Sequence, residues 1–121
     1  MRRPWILAAA LAFAQLGFAQ SDLELAEFYY NEGSYAQAKL YLDQIWKRTK
    51  TKKVFDMYYD VLLAMDDFDS AEKLVKSRMR NKNTRATAYV ELGNLYVHFE
   101  KEKEAKEAFD EALRRLEPKR G

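Results

Sequence analysis

The sequence predicts an all-α fold: a solenoid of three helix–turn–helix repeats standing behind a signal peptide. Three observations carry this. Residues recur at offsets of 33 and then 34: Ala26, Tyr59 and Gly93 form one series, and Tyr29, Leu62 and Tyr96 another. The second half of each repeat has an apolar stripe at the helical angle of about 100° per residue. No stretch alternates with period 2, as a half-buried strand would.

The first element is the leader. Met1-Arg2-Arg3 is a short basic start, and Trp5 to Phe18 is apolar apart from Gln15 and Gly17. Gly17-Phe18-Ala19 puts small residues one and three positions before a cut after Ala19, so residues 1–19 are expected to be a secretory signal peptide. The run is shorter than the roughly 20 apolar residues that span a bilayer. An exported protein follows, with the bacterial periplasm as the expected compartment. The alternatives are an N-terminal anchor in the inner membrane or an extracellular protein. No second apolar run exists, so no stable membrane span is expected after cleavage. The leader takes Arg2 and Arg3 with it, leaving 19 basic against 19 acidic residues. Zero net charge and export argue against nucleic acid as a partner. The absence of cysteine excludes disulfides, thiol catalysis, Cys-based zinc sites and lipid attachment through an N-terminal cysteine.

The repeats are expected over about residues 20–51, 52–84 and 85–118, with 119–121 as a tail. Ser21-x-x-Glu24 and Ser34-x-x-Gln37 read as capping boxes at helix starts. Gly33 lies where a left-handed cap would end the first helix. Thr51, Asp67, and Asn83 or Thr84 are the expected later caps. The second-helix stripes are Ala38, Tyr41, Leu42, Ile45 and Trp46, then Ala71, Leu74, Val75 and Met79. In the third repeat the stripe is Ala105, Ala108, Phe109, Ala112, Leu113 and Leu116. Stacked hairpins can share one core where a single pair cannot. The aromatic residues fall mostly on these inward stripes and are expected in the core.

Leu92-Gly93-x-x-Tyr96, Ala105-x-x-x-Phe109-x-x-Ala112 and Gly33-x-Tyr35-x-x-Ala38 resemble the tetratricopeptide repeat family, in register across about residues 19–118. The sequence departs from the pattern at several places. Tyr59 stands where a small residue is wanted, Arg78 interrupts the second stripe, Asp66 and Glu100 replace the turn glycine, and Glu102 replaces the turn aromatic. A more loosely spaced second repeat is expected. The resemblance implies a non-enzymatic protein–protein interaction module, here in the bacterial envelope, whose first helices line a concave groove for a protein or peptide segment. The implied groove positions are Leu23, Glu27, Tyr30 and Asn31, then Asp56, Asp60, Leu63 and Ala64, then Val90, Asn94, Val97 and His98. None is Lys or Arg, and Glu91 lies where a clamp for a C-terminal carboxylate would need positive charge. Leu23, Tyr30 and Val97 are the expected anchors.

Other chemistry is sparse. His98 is the single histidine and has no cysteine to join it in a catalytic or zinc constellation. Asp56 and Asp60 lie one turn apart without a third ligand. Asp66-Asp67-Phe68-Asp69 lacks the glycine and closing glutamate of a calcium loop and reads as a turn. No catalytic residue, metal site or cofactor is expected. The basic runs at 47–53 and 73–85 offer an anionic partner an edge, or simply place cations at helix C-termini. A second reading makes the chain the first part of a longer repeat array with a structural role. Against it, nine of the fifteen residues at 103–117 are charged, which suits a self-capping last helix with a weak tendency to pair.

Overall fold

The computed structural model describes residues 18–117. The described residues are helical, with no strand among them. Six α-helices follow in order: α1 (Phe18–Asn31), α2 (Tyr35–Arg48), α3 (Lys52–Ala64), α4 (Phe68–Ser77), α5 (Arg85–His98) and α6 (Glu102–Leu116). A 3-10 turn, Arg78–Arg80, follows α4. The all-helical fold with repeated helix–turn–helix elements is as the sequence predicts. Residues 1–17 of the expected leader and the expected tail lie outside the described residues, while the expected cut after Ala19 falls within α1.

By packing, the chain forms two compact units, one ending at Asp66 and one beginning at Asp67. The division falls inside the second expected repeat. In the first unit α1 packs on α2 and α2 on α3. Ala26, Ala38, Leu42, Ile45, Val54, Met57 and Val61 form its core. Half-buried aromatics close over that core: Tyr29 stacks on Tyr41 with centroids 5.8 Å apart, and Trp46 lies 6.0 Å from Phe55. In the second unit α5 packs on both α4 and α6. Its buried side chains include Ala71, Leu74, Val75, Leu92, Leu95, Ala105, Ala108 and Ala112. The small residue that opens each second-helix stripe, Ala38, Ala71 and Ala105, is buried as expected.

The turns show why the helices stop. Gly33 takes φ +77°. Its N–H donates to Tyr30 O at 3.1 Å and the Ser34 N–H to Tyr29 O at 2.9 Å, the paired pattern that closes a helix C-terminus through a left-handed residue. Glu100 repeats the pattern at φ 59°, with Lys101 N–H reaching Tyr96 O at 2.8 Å. Asp66 also sits at φ 59°. The two residues that replace glycine therefore adopt glycine's conformation.

The caps hold in part. Thr51 accepts from Val54 N–H and Asp67 from Ser70 N–H, as expected. Ser21 does not cap: it lies inside α1 and is 2% exposed, because the helix begins upstream of it. Ser34 occupies the N-cap position of α2 but makes no side-chain cap bond. Thr84 precedes α5 without capping it, since its hydroxyl donates to Arg78 O at 2.7 Å. Asn83 gives its N–H to the Asn81 side chain in the same turn.

The third stripe needs a larger correction. Leu113 and Leu116 are 60% and 59% exposed. The cover supplied by α5 reaches Ala105, Ala108 and Ala112 but stops there. Asp110 pairs with Lys106 at 2.8 Å rather than with Arg114, which joins Arg115 on Glu111.

Candidate functional site

In the first unit the groove positions come from α1 and α3. The structure brings Tyr30 and Asp60 together: the phenol donates to Asp60 Oδ2 at 3.0 Å. That bond, and then the Asp60 charge, push the Tyr30 phenol up from its ordinary value. Asp60 therefore faces α1 instead of sharing a ligand with Asp56, whose carboxylate is held by Lys52 at 2.8 Å. Glu27 pairs with Lys53 at 3.1 Å. None of the groove positions is Lys or Arg, but two lysines at the start of α3 reach the groove acids, because carboxylates one turn or one helix away attract them. Leu23 is half-buried against the core and Leu63 is half-buried, whereas Asn31 and Ala64 are exposed.

In the second unit α5 carries the remaining positions. Val97 is 57% exposed, Asn94 and His98 are exposed, and Val90 is half-buried. The His98 ring stands edge-on to Phe99 with centroids 4.9 Å apart. Glu91 is engaged by Arg78 at 2.6 Å, and both side chains are largely sheltered. Arg78 interrupts the apolar stripe because the helix gives way there to the 3-10 turn, and its guanidinium reaches α5 instead. A stripe read on an ideal helix has no signal for this.

The basic runs are largely engaged too. Arg48 pairs with Asp22, Lys50 donates to Trp46 O and lies over the Trp46 ring, and Lys52 and Lys53 hold the groove acids. In the later run Lys76 pairs with Glu72 and Arg85 donates to Met79 O at 2.7 Å. Ion pairs with acids account for most of these contacts, and Lys50 and Arg85 alone among them donate to carbonyls at the end of a helical segment.

Sequence reasoning missed a cleft of about 600 Å³ in the second unit. It lies where Lys76 and Met79, α5 and α6 meet, and none of Val90, Asn94, Val97 or His98 lines it. Its acidic wall, on α6, read in the sequence as a solvated helix face.

Helical hairpins with polar and apolar side chains exposed on their first helices define a repeat scaffold. Among the described residues no group of three or more His, Asp or Glu is placed to hold a metal ion. No described helix is long and apolar enough to cross a membrane. A tetratricopeptide repeat-like domain matches residues 8–120, and the chain belongs to that family. None of the curated proteins compared with the chain matches it. Repeat domains of this family are in general non-enzymatic and mediate protein–protein interaction.

Proposed function

We propose that the chain is an exported scaffold of the bacterial envelope that holds a protein segment on the exposed faces of its first helices. The observation that carries the groove is the division of labour along α1, α3 and α5. Ala26, Val61, Leu92 and Leu95 on these helices are buried, while Tyr30, Asp60, Asn94, Val97 and His98 stand on positions left available to a partner. The hydrogen bond from Tyr30 to Asp60 orders two of these side chains before any ligand arrives, which lowers the cost of binding. Val97 supplies apolar area, and Asn94 and His98 supply directional hydrogen bonds. Export is supported by the basic start, the apolar run and the small residues before position 20.

Two experiments test the two halves. Residues 1–30 fused to a reporter active only outside the cytoplasm should give activity, and an inactive fusion would refute export. Photo-crosslinking residues placed at Tyr30 and Val97 should yield a shared partner that is missing when they are placed at Lys47 or Lys73. The same adducts from all four positions would refute the groove.

A further inference from the structure

We propose that the cleft of the second unit docks a protein segment carrying a bulky apolar side chain between lysines or arginines. This surface is distinct from the groove and does not depend on it.

The cleft holds about 600 Å³, within the roughly 300–1,000 Å³ range of sites that enclose a ligand. Its floor is apolar and aromatic: Met79, Leu92 and Ala108 with the rings of Tyr89 and Tyr96. Such a floor gains by removing apolar area from water, so it selects a bulky apolar group. Its acidic wall comes from α6. Asp110 is held by Lys106, and Glu111 by Arg114 and Arg115. Glu104 and Glu107, three residues apart and so on one face, have no ion pair among the described residues. Their charge reaches the floor. The Tyr96 phenol is pushed up by burial first and by its bond to Glu72 second, and Glu104 and Glu107 add to the shift. The one lysine at the cleft, Lys76, is turned to Glu72 at 3.4 Å.

The chain itself displays the preferred chemistry. Arg115, beside the cleft, lays its guanidinium over the ring of the lining Tyr89, 5.0 Å from the centroid, while Nε donates to Glu111 at 2.9 Å. A ring face joined to a carboxylate favours a guanidinium both by charge and by stacking. Tyr96, Glu104 and Glu107 offer ring and carboxylates with no cation over the ring among the described residues, Lys76 being held on Glu72. An acidic segment would meet uncompensated like charge there. A bare polyamine would leave the floor unfilled. A segment with an apolar anchor between basic residues satisfies both parts.

The test uses a fluorescein-labelled peptide with a Leu-Trp pair flanked on each side by Lys-Arg, titrated by anisotropy at low salt. Saturable binding is expected. Glu104→Lys combined with Glu107→Lys, both at exposed positions, should weaken it by roughly tenfold or more, since two attractive charges are lost and two of the wrong sign replace them. Replacing the Leu-Trp pair by Ser-Ser should abolish binding. The groove variants Tyr30→Ala and Val97→Ala should leave it unchanged, which separates this surface from the groove. Circular dichroism confirms that each variant is folded. The proposal is overturned if the basic peptide fails to bind. Equal binding by a peptide with Glu-Asp flanks, by the Ser-Ser peptide or by the double variant also overturns it.

Discussion

A methyl group at position 93 would have nowhere to go. A Cβ built there stands 2.4 Å from Cε1 of Phe109 and under 3 Å from two further ring carbons. Glycine at this place on α5 is what lets α6 lay its aromatic ring against the backbone. Gly93→Ala gains about 1 kcal/mol of helix propensity but incurs overpacking of about 1–3 kcal/mol. A net loss of about 1 kcal/mol is expected in urea melts, partly recovered by Phe109→Leu in the same chain. A variant as stable as the parent would show that the ring moves aside freely. The opposite exchange is favoured at the turns. Glu100 and Asp66 hold φ 59°, where a Cβ costs about 1–2 kcal/mol. Glycine loses about 0.5–1 kcal/mol more backbone entropy on folding, so Glu100→Gly should stabilise by roughly 0.5–1 kcal/mol. Asp66→Gly should gain less, because aspartate tolerates this region better. Thermal melting decides both, and a lowered midpoint for Glu100→Gly would refute the reading of strain.

One helix contains both extremes of environment. On α6, Ala112 is 2% exposed and Leu116 is 59% exposed, although both lie on the stripe that the sequence marks as inward. Leu116→Lys and Leu113→Gln should each change stability by no more than about 0.5 kcal/mol. Ala112→Asp and Ala71→Asp bury an unpaired carboxylate and should cost several kcal/mol, enough to unfold a small domain. Equal melting temperatures for Leu116→Lys and Ala112→Asp would overturn the placement of α6. This contrast shows where the sequence was legible. Periodicity names the apolar side of a helix, and it located Ala38, Ala71 and Ala105 correctly. It does not say how far a neighbouring helix covers that side. The offset of 67 residues pairs Trp46, packed beside Phe55 and Tyr58, with exposed Leu113. In the candidate site Tyr30 and Asp60 were named, but their hydrogen bond and the reach of Lys53 to Glu27 depend on how α1 and α3 face each other, whereas the Lys52–Asp56 pair lies within one helix at a spacing that the sequence shows. The link between α4 and α5 has a pH signature. Tyr96 donates to Glu72 at 2.6 Å, and its phenol is raised in the folded state. A raised value means that the folded chain keeps the proton longer, so this stability is present below the unfolded value of about 10 and is lost as the pH rises above it. The slope is at most about 1.4 kcal/mol per pH unit for one proton. Tyr96→Phe should be less stable at neutral pH and should lose less on going from pH 10 to pH 11, as read by urea melts. Parallel losses in the two proteins would refute the assignment.

For the molecule as a whole, the question is whether the segment before position 20 can be removed without loss of the fold. Helix α1 is described from Phe18, and the family match starts at residue 8, so both run across the expected cut after Ala19. Three positions that tie α1 to the first unit nevertheless lie after that cut. Ser21 is 2% exposed, Leu23 packs half-buried against the first unit's core, and Ala26 is 0% exposed. A chain beginning at Gln20 keeps all three. It loses only Phe18 and Ala19 from the described part of α1. It should therefore be folded, strongly helical and cooperative in melting. A chain beginning at Glu27 removes Ser21, Leu23 and Ala26 together and strips part of the cover from α2. The exposed face of Leu42 and Ile45 should then cost several kcal/mol, and the first unit should lose its cooperative transition. Far-ultraviolet circular dichroism and thermal melts of the two truncations are the measurement. If the chain beginning at Gln20 is also unfolded, residues before 20 belong to the fold, and the leader is not a segment that can be cut away.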